Sequence, residues 1–509
     1  MNLLASLTDV KIPAPQIQWF ALTPMFIFIV GAFVLMTVAV LTPMGRQRGA
    51  YALYTCAASA GSAVVSLILW FDVRDNGPRT MISGALTLDG FAVFFWFIIS
   101  CAVFVSALLI DDYLRREDLD GCEIYVLMMS AAVGALVLAS ANDLIVLFVG
   151  LEVLSIALYV MAAMHARRAS SQEAAIKYFV LGGFSSAFLL YGIALTYGGT
   201  GSTNLVRIGT ALRDNFSKHP QIIVAGLALM LVGFAFKIAA APFHAWTPDV
   251  YQGAPSPVSG FMASAAKAAA FAGLLRVYVM VFPTLSPDWR PAVWGLAVLT
   301  VVVGSLLAIV QTDVKRTLAY SSISHAGFIL IGLQANSADG VSSSMFYLLA
   351  YTFMVLGSFG CVTLIGRVGD DAHSIDDYRG LAKQRPVLAF VFSVMLFAQA
   401  GVPLTSGFIA KFGVISAAVK GHSYAVAIVA MIASAIGVFL YLRIVVTMYV
   451  ADTDGEPRTV ATAGPIQLPI GAVVAIGICF VFTVAVGFAP DWALNFARHS
   501  VPVLIATPK

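Results

Sequence analysis

Glu152, Lys177, Lys237, Lys267, His325 and Lys411 stand inside apolar sequence rather than in the charged connections around it. Inserting an ionisable side chain at bilayer depth costs roughly 2.5–3.5 kcal/mol, so each needs a reason to be there. One carboxylate, four amines and one imidazole form a row suited to moving protons or small cations. A carboxylate and an amine that pair and separate make a switch, because losing either partner changes how firmly the other holds its proton.

Glu152 lies in DLIVLFVGLEVLSIALYVMAAM, nine residues after Asp143, roughly 13 Å into a helix at 1.5 Å per residue. Lys177, in QEAAIKYFVLGGFSS, follows on the next helix. Hairpin register brings it near Glu152 with an offset of about 9 Å, a gap that a lysine stem and one water close. The plainer reading of Lys177 is an interfacial i,i+4 pair with Glu173. Lys237 follows sixteen largely apolar residues and precedes Pro242, so it must find a carboxylate, water or freed carbonyls. An amine whose charge is costly to bury is suited to carrying a proton and releasing it. Its alternative role is a static counter-charge holding a broken helix. Lys267, in GFMASAAKAAAFAGLL, is surrounded by small residues that let helices approach and leave room for water. His325 sits among three serines and a tyrosine in KRTLAYSSISHAGF. An imidazole titrates near neutrality and can pass a proton between its two nitrogens; a satisfied structural donor is the alternative. Lys411 completes the row. His244 and Asp249, in PFHAWTPD, have capping of freed backbone groups as a sufficient explanation.

These side chains require a membrane scaffold, and the composition supplies one. Of 509 residues, 60% are hydrophobic and 11% charged, under half the charged share of soluble domains. Runs of 18 or more apolar residues occur near 17–41, 50–71, 88–110, 121–140, 143–164, 174–198, 221–241, 257–281, 291–311, 316–334, 343–366, 386–418, 422–449 and 466–489. Period-2 alternation is absent, so the expectation is an all-α polytopic membrane protein of about fourteen helices. The N-terminal MNLLASLTDVKIPAPQIQWF has no basic n-region, and no removable signal peptide is expected. Thirteen Lys/Arg residues between Arg46 and Arg458 fall in inside loops if the N-terminus is outside, against ten outside, including Lys218; both termini are expected outside.

Two spans are interrupted. In GFAFKIAAAPFHAWTPDVYQGAPSPV a long helix meets Pro242, and in FAQAGVPLTSGFIAKF Gly401, Pro403 and Gly407 fall in mid-span. Such breaks free carbonyls that lipid cannot satisfy, so they belong inside protein or beside water. They lie five helices apart, an odd number, which gives equivalent units opposite orientation. The expectation is two inverted five-helix repeats, each with a discontinuous helix, over 121–281 and 290–450. Residues 1–120 would hold helices 1–3, and 451–509 the C-terminal helix and tail.

A net charge of +3 without basic runs leaves no footprint for nucleic acid. The five cysteines sit in apolar stretches with no CxxC spacing, so they read as small hydrophobes rather than metal or iron–sulfur ligands.

At these motifs the sequence resembles the antiporter-like membrane subunits of proton-pumping NADH:quinone oxidoreductase, respiratory complex I. FVGLEVLSIALYVMAA, FKIAAAPFHAWTPDVYQGAPSPV, FMASAAKAAAF and VKRTLAYSSISHAGF carry the likeness, over roughly residues 120–420. Among the three types, QEAAIKYFVLGGFSSAFLLYGIALTYGGTGST and GVPLTSGFIAKF, with lysine in place of glutamate, are similar to the subunit N type, related to mitochondrial NADH dehydrogenase subunit 2. No long C-terminal extension of the L type is expected, and a chain of fourteen expected helices resembles the bacterial form. The resemblance implies one half-channel on Glu152, Lys177 and Lys237 and another on Lys267, His325 and Lys411. Lys237 would be the first proton carrier, Lys267 the connector and Lys411 the terminal carrier. It implies no cofactor on this chain, with NADH, FMN, iron–sulfur clusters and quinone in other subunits. The implied setting is a bacterial inner membrane, with lateral packing against other antiporter-like and small subunits. A multisubunit Na⁺/H⁺ antiporter and a scaffold whose buried charges only lock helix packing are the alternatives.

Overall fold

The computed structural model describes residues 17–41, 49–119, 121–213, 220–366, 369–371, 373–450 and 469–502. Residues 1–16, Arg46, Arg48, Lys218, Arg367, Arg458 and the connection 451–458 lie outside the described residues. The helices are α1 (Thr23–Leu41), α2 (Ala50–Asn76), α3 (Gly90–Arg116), α4 (Glu123–Ser140), α5 (Leu144–Ala162), α6 (Ala169–Thr200), α7 (Leu205–Arg213), α8 (Pro220–Lys237), α9 (Trp246–Gly253), α10 (Ser256–Phe261) and α11 (Lys267–Leu275). They continue with α12 (Ser286–Ile309), α13 (Val314–Gln334), α14 (Ala338–Ile365), α15 (Leu381–Gln384), α16 (Pro386–Ala400), α17 (Ser406–Lys420), α18 (Tyr424–Tyr449), α19 (Ile470–Phe488) and α20 (Asp491–Arg498). A short antiparallel hairpin of β1 (Arg79–Met81) and β2 (Leu86–Leu88), in register Arg79 to Leu88, joins α2 to α3.

Among the described residues, twelve helices are long and apolar enough to cross a membrane. The more polar α13 and the broken pair α16–α17 account for the remaining two expected spans. Their starts follow local chemistry. Asp89, Asp143, Asp313 and Ser337 each accept a backbone N–H of the first turn, closing α3, α5, α13 and α14. α6 runs on through Gly198 and Gly199 to Thr200, just beyond the apolar run near 174–198.

Two helices form the centre. Ser256–Val281, a continuous span containing π-helical turns at Met262–Ala266 and Arg276–Val281, is buried throughout its apolar window, as is α14. Lipid offers no hydrophobic drive between helices, so close approach of small residues does the packing. A Cβ on Gly150 would lie 2.9 Å from the Leu138 amide nitrogen and 3.0 Å from the Gly134 carbonyl. Only glycine lets α5 lie against α4 this closely, which fixes the helix that carries Glu152. Large side chains such as Phe33, Phe184, Phe439 and Val481 face outward.

The order of elements repeats: three unbroken spans, a broken one, then another unbroken one. The first break runs from Lys237 to Trp246, and the second from Ala400 to Ser406. Each contains a non-glycine residue at positive φ, Ala239 at 62° and Leu404 at 68°, a conformation held only where surroundings enforce it. The freed groups find partners. Ala241 N donates to Thr300 Oγ1 (3.0 Å) and the Trp246 indole donates to the Phe236 carbonyl (3.0 Å).

Candidate proton-transfer row

α5 positions the first set. Glu152, Ser155 and Tyr159 are at i, i+3 and i+7, on one face of the helix. Lys237, the last residue of α8, donates to Ser155 Oγ (2.7 Å) and Tyr159 OH (3.0 Å), with its ammonium 5.1 Å from the Tyr159 ring centre. Glu152, one turn away, accepts a short hydrogen bond from Ser186 of α6. Lys237 thus lies beside the carboxylate without bonding it.

Lys177 is placed differently from the hairpin-register expectation. It bonds Glu173 (2.7 Å) and Asp249 (2.8 Å) and is 41% exposed. Ser186 is the α6 residue level with Glu152, and Lys177 stands nine residues earlier, about 13 Å along the helix. Helical side chains also lean toward the N-terminus, which carries Lys177 further from Glu152. The interfacial pair with Glu173 is therefore the contact formed. Asp249 joins Lys177 to Arg316 (2.7 Å) rather than capping freed backbone groups. His244 lies half-buried, 6.5 Å from the Tyr320 ring.

α13 positions the second set by the same device. Ser322, His325 and Phe328 repeat at i+3 along one face, about 9 Å from end to end. Lys267 donates to the Ser322 carbonyl (2.6 Å) and, by a short bond, to its hydroxyl. Lys411 lies 4.9 Å from the Phe328 ring and donates to the Ala400 carbonyl (2.8 Å) and to Ser434 Oγ (3.3 Å). Ala400 ends α16, so the ammonium caps the negative end of the broken helix. Gly401 has φ of 89°, and a Cβ there would sit 2.9 Å from Lys411 Cδ, so glycine both turns the chain and leaves room for the lysine. His325 is bracketed by two phenols, Tyr347 at 2.7 Å from Nδ1 and Tyr441 at 3.2 Å from Nε2. Lys267, His325 and Lys411 are all buried. Among the described residues, neither they nor Lys237 come within ion-pair distance of a carboxylate.

Two clusters at opposite ends of α3, about 40 Å apart, do pair their charges. At one end Arg276 grips Asp89 with two nitrogens (2.9 and 3.0 Å), both groups buried. At the other, Asp370 accepts from Lys315 (3.0 Å), Arg168 (3.1 Å), His373 (2.8 Å) and Ser256 (2.9 Å). Burial alone would raise the Asp370 pKa. The Lys315 charge, the His373 hydrogen bond and charge, and Arg116 overcome it and hold this loop carboxyl well below the usual range. Lys315 also donates to the Ala254 carbonyl after α9 (2.8 Å). The cluster so ties the α5–α6 turn, the second half of the broken helix and the start of α13. A polar cavity of about 340 Å³ opens beside it, lined by Arg168, Glu173, Lys177, Asp249, Asp370 and His373. Sequence reasoning counted Lys315 as a loop charge and passed over Asp370. The one signal was parity, which puts the connections at 165–173, 313–316 and 366–385 on the same membrane side.

Twelve long apolar helices among the described residues, two broken helices and a lysine at each break are the features of the antiporter-like class. The family model described as "NADH:quinone oxidoreductase/Mrp antiporter, TM" matches residues 141–452. NADH-quinone oxidoreductase subunit N of Trichlorobacter lovleyi is 39% identical over 481 residues, 94% of this chain and 96% of that one. The chain belongs to the NADH-quinone oxidoreductase subunit N family. A chain in respiratory complex I from Thermus thermophilus with bound aureothin is 32% identical, with TM-score 0.77 over 93% of this chain and 99% of that one. A chain of the Mrp complex from Dietzia sp. is similar in fold alone, with TM-score 0.81 at 19% identity over 95% and 97% of the two chains.

Proposed function

We propose that this chain moves protons across the membrane as a non-redox subunit of a proton-translocating NADH:quinone oxidoreductase. The observation that carries the reading is the set of membrane-embedded lysines, Lys237, Lys267 and Lys411, held by hydroxyls and carbonyls with no carboxylate at ion-pair distance among the described residues. A protonated amine so placed is satisfied as a donor yet free of an ion pair that would fix its charge. Glu152 and Lys237 form the first transfer set over 121–281. Lys267, near the end of the same range, connects the two sets across the domain boundary, and His325 and Lys411 carry the second over 290–450. Lys177, with Asp249, sits at the edge of the first set and exchanges protons with the polar cavity.

The redox cofactors, NADH, FMN, iron–sulfur clusters and quinone, belong to other subunits, and the outward apolar faces meet lipid and neighbouring membrane subunits. The setting is a bacterial inner membrane with both termini periplasmic. The test is Lys237→Met in the complex reconstituted into vesicles. The rate of NADH-driven proton uptake should fall by roughly 10²-fold, with Lys237→Arg milder because the cation remains. Normal pumping by an assembled Lys237→Met complex rejects the carrier role. Migration of the chain apart from NADH dehydrogenase activity, with cation exchange intact, favours a separate antiporter.

A further inference from the structure

We propose that Tyr347 and Tyr441 are positioning residues that clamp the His325 imidazole between two hydroxyls and so make it a two-tautomer proton relay. The inference rests on the role given to His325 above.

The imidazole is 3% exposed and receives one phenol from each side, Tyr347 from α14 at Nδ1 and Tyr441 from α18 at Nε2. A third phenol ring, Tyr351, lies against it at 4.7 Å, tilted by 38°. A neutral imidazole carries one N–H and one lone pair, whereas a hydroxyl can donate or accept. With a hydroxyl at each nitrogen both tautomers are fully bonded. In one, Nδ1–H donates to Tyr347 and Nε2 accepts from Tyr441; in the other the roles reverse. A partner able only to accept, such as a backbone carbonyl, would fix a single tautomer. Neither nitrogen has such a partner among the described residues.

The chemistry balances as one proton in and one out. A proton arriving at the unprotonated nitrogen forms an N–H bond there, and the N–H bond at the other nitrogen breaks toward the hydroxyl it faces. That hydroxyl passes on its own proton, and the ring is left as the opposite tautomer. The Tyr441 hydroxyl continues outward. It shares a short hydrogen bond with Ser321 Oγ, which donates to Gln399 Oε1 (3.4 Å) one residue before the carbonyl that holds Lys411. On the other side of His325 along α13, Ser322 holds Lys267. The clamp therefore stands between the two lysines.

The test is a double-mutant cycle in the complex reconstituted into sealed vesicles, with the rate of NADH-driven proton uptake normalised to the amount of this chain. Tyr→Phe keeps the ring and removes one oxygen. Tyr347→Phe and Tyr441→Phe should each lower pumping by about fivefold, the population shift expected from one lost hydrogen bond. In a His325→Gln background the same changes should matter by less than about twofold, because their effect passes through the imidazole. An equal loss in both backgrounds marks the tyrosines as packing residues and overturns the clamp. Normal pumping by both Tyr→Phe variants beside an impaired His325→Gln overturns the clamp and leaves the histidine's role standing. Normal pumping by His325→Gln overturns both.

Discussion

The buried lysines of the membrane row and the buried cations at the ends of α3 answer the same problem in opposite ways. Lys315 and Arg276, both buried, and the partly exposed Arg168 lie against carboxylates at about 3 Å, whereas Lys267 and Lys411 are held by neutral oxygens. Pairing offsets desolvation, and it also fixes the charge state. Asp370, surrounded by cations, stays ionised well below the usual carboxylate range and acts as a rivet. A lysine bonded to a hydroxyl loses much less when its proton leaves, because the hydroxyl can turn and donate in return. The described residues thus keep ion pairs at Asp89 and Asp370, which tie elements together, and leave the buried Lys267 and Lys411 without one, as the proposed proton carriage requires.

That contrast breaks most visibly if transport and stability do not separate. Lys411→Met should cut proton pumping by the reconstituted complex by roughly 10²-fold. Its cost in stability is about 1 kcal/mol, for the donor lost from the Ala400 carbonyl. Thermal melting of the solubilised complex checks the second figure. A large drop in melting temperature with pumping intact would invert the comparison. Asp370→Asn should do the reverse. Removing one partner of a buried ionic cluster costs about 3–5 kcal/mol, read as a lower melting temperature or yield, while each assembled complex still pumps.

The pH dependence sharpens the same point. Asp370 has a folded pKa depressed below its unfolded value of about 4. Its stabilisation is therefore fully present above that unfolded value and is lost as pH falls through the folded one. The difference in melting between the wild-type chain and Asp370→Asn should stay level from about pH 5 to pH 8 and shrink only in stronger acid. A difference that changes across the neutral range would mean that the rivet titrates.

The membrane row was legible in the sequence because a charge in an apolar run of twenty residues is a local anomaly. The breaks were legible for the same reason, through Pro242 and Gly401. Partners were not. Lys177 meets Asp249, 72 residues away, and Tyr441 reaches His325 from 116 residues away, separations at which only helix packing decides. Glu152 was expected to face Lys177 because hairpin register was counted from the turn. α6 begins at Ala169 with a polar first turn, and the residue level with Glu152 is Ser186. Asp370 was hidden among the charges of an apparently solvated connection, since burial of a loop by three other connections leaves no mark on its own residues.

The smallest expected effect lies at an exposed pair that resembles the Asp370 cluster only in geometry. Lys420 at the end of α17 bonds Asp339 in the first turn of α14 at 2.7 Å, as short as any contact in the buried clusters. Their side chains are 67% and 59% exposed, so water and salt screen the attraction, and holding two long side chains in one arrangement costs entropy. Lys420→Ala should shift stability by about 0–1 kcal/mol, with the shift vanishing in high salt and no change in pumping. If Lys420→Ala destabilises as much as Asp370→Asn does, burial is not what separates the rivets from the rest. The contrast between paired and unpaired cations would then reduce to distance alone.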